Sequence, residues 1–357
     1  MGIMDRYIAR QVISGALMVV AVLATLGGLF MFIEQQDDIG VGSYNTRDAL
    51  EFALMNLPAQ TYQLLPVSVL IGAMLGLGAL ARGSELTVFR SAGVSVWRIA
   101  ASASIAGILL LLLGVALGEF VGPPLQRLAA QQKAMAKSAT ASLAGNGGAW
   151  VRDGNLILNV ERHANSLGGM LVFEITPQQR LAAVGRAASV NAGDSAAHGW
   201  QLSGYDETRF DGETIAASRV ASRRLNSGLS GDFLALAATD PGRLTTAELR
   251  ELAIEQRANG IDSRDIQFAF WSRVARVIAI PLAVLLAIPF MFGSMRGAGA
   301  GAKSALGLLM GVVLFLVQDV VESGALVFKL NPVLLAWCPV VAMALVAVVL
   351  IARTNRH

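Results

Sequence analysis

Six apolar runs parted by one long polar block constrain this chain more than any other feature of its sequence. Runs at roughly 10–33, 64–81 and 99–118 precede a polar stretch from about Pro123 to Asp265, and runs at roughly 274–292, 304–317 and 333–352 follow it. A helix needs about 20 mostly apolar residues to cross the ~30 Å hydrocarbon core, and several of these runs are long enough. Only 15% of the 357 residues are charged and 54% are hydrophobic, against roughly 25% charged in a soluble domain. The chain therefore reads as an integral membrane protein of three spans, an insert and three spans. Discrete apolar runs, rather than alternating ~10-residue strands, make the spans helices, which satisfy their own backbone polar groups in lipid.

Several function classes find no support. The single cysteine, Cys338, rules out an intrachain disulfide and a cysteine-based metal cluster. His163, His198 and His357 lie apart without ligand spacing, and no metal site is expected. A net charge of +3 is too small to argue for nucleic acid. The segment from Gly297 to Ser304 misses the phosphate-loop pattern, because Ala302 stands where glycine belongs before Lys303 and a membrane span replaces the preceding strand. No Ser, His and Asp set within the runs suits an intramembrane hydrolase, so the chain is not expected to be an enzyme. The first run is too long for a removable signal and is expected to stay as an anchor.

Lysine and arginine in short loops set orientation. One set of ends carries Arg6, Arg10, Arg82, Arg90, Arg98, Arg296, Lys303, Arg353 and Arg356, whereas the other carries only Arg47 and Lys329. The first set belongs in the cytoplasm, with both termini, and the insert faces the opposite compartment. Residues 1–10 read as an amphipathic lead-in with Asp5, Arg6 and Arg10 on its polar side. A helix from Thr46 to Asn56 is expected to lead through Pro58 and Pro66 into the second span, and Pro281 and Pro289 to kink the fourth. Gly72, Gly76 and Gly78, and later Gly307 and Gly311, form small-residue faces suited to close packing within the chain or in a dimer.

In the insert, a helix continues from Pro123 to about Leu143. The period then changes: 149–162, 169–175, 180–191, 199–210 and 213–225 alternate and are broken by Gly, Asn, Asp and Pro, as in an antiparallel sandwich or barrel. Its expected core is Trp150, Leu156, Leu158, Val160, Leu171, Phe173, Ile175, Trp200, Leu202 and Tyr205. Thr245 and Glu248 form a capping-box pattern for a helix ending near Gly260, and Asp262-Ser263 caps the next.

Two stretches could carry function. Between spans two and three, Ser84 is expected to cap and Gly93 to end a short helix whose Leu86, Val88 and Phe89 are apolar and whose Glu85 and Arg90 are charged. It reads either as an interfacial connector or as a coupling helix docked in the groove of a cytoplasmic motor. Charges near the outer boundary, among them Glu34, Asp37, Asp38, Glu119, Arg127, Lys133, Lys137, Arg273, Arg276, Asp319 and Glu322, are either headgroup anchors or parts of a polar path.

Taken in order, Asp5-Arg6-Tyr7-Ile8, Gly42-Ser43-Tyr44, Gly72 to Gly78, Ser84-Glu85-Leu86 with Ser91-Ala92-Gly93, Gly118-Glu119 and Trp150-x-x-Asp153-Gly154 resemble the lipopolysaccharide export permease family (LptF/LptG type) over essentially the whole chain. The resemblance implies transmembrane helices 1–3 over 1–122, a periplasmic antiparallel β-jellyroll-like domain over 123–265 and helices 4–6 over 266–357. It also implies a Gram-negative inner-membrane subunit that pairs with the second permease LptF and the ATPase dimer LptB. Lipopolysaccharide would pass to a bridge including LptC and LptA. The chain itself then needs no cofactor, ATP being bound by the partner. By the same resemblance, Ser84, Glu85, Leu86, Phe89, Arg90 and Gly93 couple to the ATPase. Lys133 and Arg273 match basic positions near the cavity mouth, and the lipid path is expected to include Phe30, Ile33, Glu34, Arg127, Lys137, Arg276 and Asp319 as well. Family members can carry lysines at the end of span one, where this chain has Met31, Asp37 and Asp38, so phosphate binding is expected to shift to Arg127, Lys133, Lys137, Arg273 and Arg276. The alternatives are the paralogous LptF-type subunit and a non-transporting membrane scaffold.

Overall fold

The computed structural model describes residues 2–138, 149–153, 155–163, 166–176, 180–192, 200–211, 214–225, 239–258, 262–292, 331–356 and the positions 305, 309, 310, 313, 316, 317, 320 and 321. Its helices are α1 (Ile3–Glu34), α2 (Thr46–Arg82), α3 (Glu85–Ser91), α4 (Val96–Val115), a π-helical turn (Ala116–Val121), α5 (Gly122–Ser138), α6 (Thr246–Ala258), α7 (Arg264–Phe292) and α8 (Pro332–Arg356). Among the described residues, six strands, β1 (Ala149–Asp153), β2 (Leu156–His163), β3 (Ser166–Ile175), β4 (Leu181–Ala192), β5 (Trp200–Asp211) and β6 (Thr214–Leu225), lie between α5 and α6. Five helices among the described residues are long and apolar enough to span a bilayer. The expected run at 304–317 falls mostly outside the described residues, with helix at the positions that are described.

Packing divides the chain into two units: 1–37 with 49–129 and 267–357, and 38–48 with 130–266. In the first unit, α1 begins at Ile3, so the expected lead-in is part of the span itself. Asp5 is buried rather than on a polar face. Its carboxylate accepts from the Ser102 hydroxyl at 2.6 Å, from Arg98 Nη2 at 3.1 Å and from the Gly2 amide at 2.9 Å. Such complete pairing is what makes a buried carboxylate tolerable.

Glycine sets the closeness of α1 and α2. A side-chain carbon at Gly72 would overlap the Ala16 backbone, one at Gly15 the Gly72 carbonyl, and one at Gly76 the Gln11 carbonyl. Gly72 and Gly76 therefore pack within the chain, as small residues do where no hydrophobic driving force separates helix from lipid. Gly107 similarly lets α4 approach Pro281 of α7, where an added carbon would meet Pro281 Cα at 2.9 Å. One core joins these helices, with Ile8, Leu65, Leu70, Met74, Leu77, Leu80, Ile99 and Val284 fully enclosed. α2 runs unbroken through Pro58 and Pro66, and α7 through Pro281 and Pro289.

In the second unit, the described strands form one antiparallel sheet in the order β1-β2-β3-β4-β5-β6, each paired with its neighbour in the chain. Leu158, Met170, Val172, Ala183, Ala187, Trp200, Leu202 and Tyr205 are buried. On β3 this corrects the expected face. Both faces of that strand are apolar, and its pairing with β4 turns Met170 and Val172 inward while Leu171, Phe173 and Ile175 stay half-buried. On β5, Gly204 has φ +61°, shifting the alternation by one so that Trp200, Leu202 and Tyr205 share a buried face. The Trp150 and Val160 side chains lie outside the described residues. α6 opens with the expected capping box, in which the Thr245 amide donates to Glu248 Oε2 at 2.8 Å and the Glu248 amide to Thr245 Oγ1 at 3.3 Å. Asp262 caps α7 by accepting from the Arg264 amide at 3.1 Å.

Candidate substrate path and coupling surface

Three groupings of residues could carry transport chemistry, and each starts from a local backbone requirement. The first is the π turn. Pro123 has no N–H, and the Gly122 amide bonds back to the Leu117 carbonyl. In an α-helix that amide would serve Gly118, and in a π register the amide of residue 123 would. The Gly118 carbonyl thus lacks both intrahelical donors, and Arg273 Nη1 supplies the bond at 3.0 Å. The same guanidinium lies 3.6 Å from Glu119 Oε1. The Tyr62 hydroxyl donates to the Arg273 carbonyl at 3.2 Å, and Gly118 leaves room for the Tyr62 ring, which an added carbon would meet at 2.8 Å. The Arg276 guanidinium stands 5.5 Å over that ring. Arg273 is buried, and it ties α2, the π turn and α7 together. This position departs from the expected phosphate-gripping role: the guanidinium is committed to internal acceptors. Tyr62 was not singled out from sequence, whereas the Gly118 to Pro123 spacing held the signal for the turn.

The second grouping joins the loop at 38–48 to α5. Lys133 and Lys137, one helical turn apart, both reach Asp38, at 2.6 and 2.5 Å. The Lys133 ammonium also lies 5.8 Å over the Tyr44 ring. The last carbonyls of a helix lack intrahelical donors, and Ala136 of α5 receives the Ser43 amide at 2.8 Å and the Ser43 hydroxyl at 3.1 Å. Gly42, with φ +65°, permits that approach, since a side-chain carbon there would overlap the Ala136 carbonyl. Gly42-Ser43-Tyr44 is thus a docking element. Asp38, expected to repel phosphate, instead holds the two lysines, and the trio carries one net positive charge rather than two unengaged cations. Arg127 lies half-buried on α5, and Asp319 lies outside the described residues.

On α1, Phe30 and Ile33 are 63% and 52% exposed, in an outward stripe with Met18, Val22, Leu26 and Leu29. Glu34, the last residue of α1, is exposed too. Most of the apolar stretch of α1 is left uncovered, whereas most of that of α2 is buried. An uncovered apolar stripe on a span fits lipid chains or another span.

The third grouping is α3. Gly93, with φ +86°, ends it: the Gly93 amide donates to the Arg90 carbonyl and the Val94 amide to the Phe89 carbonyl, each at 3.0 Å, a Schellman closure. Ser84 does not cap it with its side chain. Its φ of 58° is left-handed, its hydroxyl makes no capping bond, and its carbonyl accepts from the Val88 amide at 3.0 Å. Leu86 is buried and Phe89 packs against the core. Glu85 is hydrogen-bonded by the Tyr7 hydroxyl, and Arg90 lies 5.9 Å over the Phe292 ring. What α3 offers outward is Thr87, Val88 and Ser91, with Val88 60% exposed. The sequence groups Val88 with Leu86 and Phe89 as one apolar side, and the helix is too short for it to show that Leu86 and Phe89 are covered while Val88 faces out.

Known proteins resemble the chain along nearly its whole length. The chain is 29% identical to the lipopolysaccharide export system permease protein LptG of Escherichia coli (strain K12) over 357 residues, covering 99% of each chain. It is 25% identical over 338 residues to the protein of the same name from Haemophilus influenzae, covering 94% of each. A model of the family described as lipopolysaccharide export system permease LptF/LptG matches residues 6–353, and with that match running from α1 to the end of α8, the chain belongs to the LptF/LptG family of lipopolysaccharide export permeases.

Proposed function

We propose that this chain is a permease subunit of an ATP-driven exporter that draws lipopolysaccharide out of the inner membrane and hands it to a periplasmic bridge. The observation that carries the reading is the family match across both the spans and the β-domain. An LptG-type role, with LptF as second permease, LptB as ATPase dimer and LptC and LptA as bridge, is supported by the two relatives bearing the LptG name. The excess of Lys and Arg at one set of span ends supports cytoplasmic termini and a periplasmic β-domain, which the family resemblance takes to be jellyroll-like. The outward stripe of α1 around Phe30 and Ile33 offers acyl chains an apolar wall. α3 presents Val88 to the ATPase while Leu86 and Phe89 hold the helix to the spans. A force on α3 then reaches α1 through Glu85 and Tyr7, and α7 through Arg90 and Phe292. Affinity purification of the tagged chain in mild detergent, with mass spectrometry of proteins and lipids, tests the reading. Recovery of a second permease, a small ATPase and lipopolysaccharide is expected; the chain alone with ordinary phospholipid would overturn it.

A further inference from the structure

A groove of about 560 Å³ runs between α1 and α4 at their N-terminal ends, the ends that the Lys and Arg distribution assigns to the cytoplasm. The two helices run in parallel there, since Asp5 of α1 meets Arg98 and Ser102 of α4. Ile13 and Leu17 form one wall and Ile105 and Leu109 the other; Ala9 and Ser14 are small, which is what hollows the space between them. At the mouth stand Arg6 and Arg10, four residues apart and on one helix face. Both are exposed, and among the described residues neither guanidinium is ion-paired. The nearby carboxylate of Asp5 is already committed to Arg98 and Ser102.

We propose that this groove binds an anionic glycerophospholipid of the cytoplasmic leaflet, its phosphate held by Arg6 and Arg10 and one acyl chain lying between α1 and α4. The dimensions fit. From Arg6 to Leu17 the helix rises about 16 Å at ~1.5 Å per residue, close to half the ~30 Å hydrocarbon core, which is the depth of one leaflet. The volume lies within the ~300–1,000 Å³ of small-molecule sites. The charge fits as well: two unpaired guanidiniums over an apolar groove select a lipid with a net negative headgroup over a zwitterionic one, as basic pockets between spans do on the cytoplasmic side. A transmembrane helix from a partner would fill the apolar part but leave both arginines without a counter-charge at the mouth. This site is separate from the export path around Phe30 and Ile33 and stands without the export reading.

The test reconstitutes the full-length chain, with whatever subunits co-purify, into nanodiscs of phosphatidylcholine with or without phosphatidylglycerol. Native mass spectrometry then reads the lipids retained on ejection. Retention of phosphatidylglycerol over phosphatidylcholine is expected, reduced about fivefold by Arg6→Gln or Arg10→Gln and roughly 25-fold by both. Arg6→Lys with Arg10→Lys should restore most of it. Leu109→Trp, which fills the groove and leaves the arginines, is expected to lower retention while the preference of any remaining lipid stays anionic; α4 presents Leu109 outward, so folding is not at stake. Equal retention in the wild type and all variants would overturn the proposal. So would lipopolysaccharide displacing phosphatidylglycerol at equal concentration, or a crosslink from Leu109 to a partner's helix in place of lipid.

Discussion

Replacing Arg273 by methionine separates a structural clamp from a substrate contact. Methionine keeps the length and apolar stem but removes every donor. The Gly118 carbonyl then loses its 3.0 Å bond with no intrahelical amide to replace it. A hydrogen bond involving a charged group contributes about 1.5–3 kcal/mol. The 3.6 Å pair with Glu119 adds less than about 1 kcal/mol, because Glu119 is partly exposed and the pair is long. The expected loss is therefore about 2–4 kcal/mol, read as a drop of several degrees in the apparent Tm of the full chain in detergent. Adding Glu119→Gln to Arg273→Met should recover a fraction, since it removes the carboxylate left without its cation. Adding Pro123→Ala, which supplies a backbone N–H five residues beyond Gly118, should recover another. An unchanged Tm for Arg273→Met, combined with weaker crosslinking to lipopolysaccharide, would refute the clamp and return Arg273 to the lipid path.

Four further outcomes follow from the same geometry. Gly72→Val is expected to abolish recovery of folded chain because its side chain overlaps the Ala16 backbone, whereas Gly78→Ala, whose added carbon meets only Met291 Sδ at 3.7 Å, is tolerated; size-exclusion profiles compare them. Val88→Asp should leave the Tm of the chain unchanged yet cut stimulation of the partner ATPase, while Leu86→Ala, buried against the core, lowers the Tm first. Asp38→Asn unties Lys133 and Lys137 and should raise crosslinking of lipopolysaccharide to this surface; lower or equal crosslinking would take the lysines off the path. In the sheet, burial pushes the Glu207 carboxyl up, but hydrogen bonds from Arg223 and Arg209 outweigh it and hold the group below the ordinary glutamate value. Stability from that depressed carboxyl is present above the unfolded value near 4.5 and is lost as pH falls through the lower folded value, so Glu207→Gln should flatten the acid side of an unfolding profile below pH 4.5.

Much of the plan was legible because it rests on local composition. Apolar length alone marked the spans, since a backbone in hydrocarbon has few options, and the change to period two marked the strands. The capping box at Thr245 and Glu248 and the helix stop at Gly93 were equally local and stand as read. The family resemblance added what no single run could: the order of the pieces.

What the sequence left open concerns pairs far apart in the chain. Nothing near Asp5 announces Arg98 and Ser102, more than 90 residues away, so a charge on a lead-in became a buried clamp only once α1 packed on α4. Asp38 read as repulsive until α5 brought two lysines to it, and Arg273 read as a phosphate grip until the π turn presented the Gly118 carbonyl. On β3, where both faces are apolar, only pairing with β4 chose Met170 and Val172 over Leu171 and Phe173. Local sequence sets the period, the caps and the reach of each element, because these depend on neighbours within a turn or two. Whether a charge is free or already answered depends on which distant backbone comes within about 3 Å of it, and only the tertiary fold decides that.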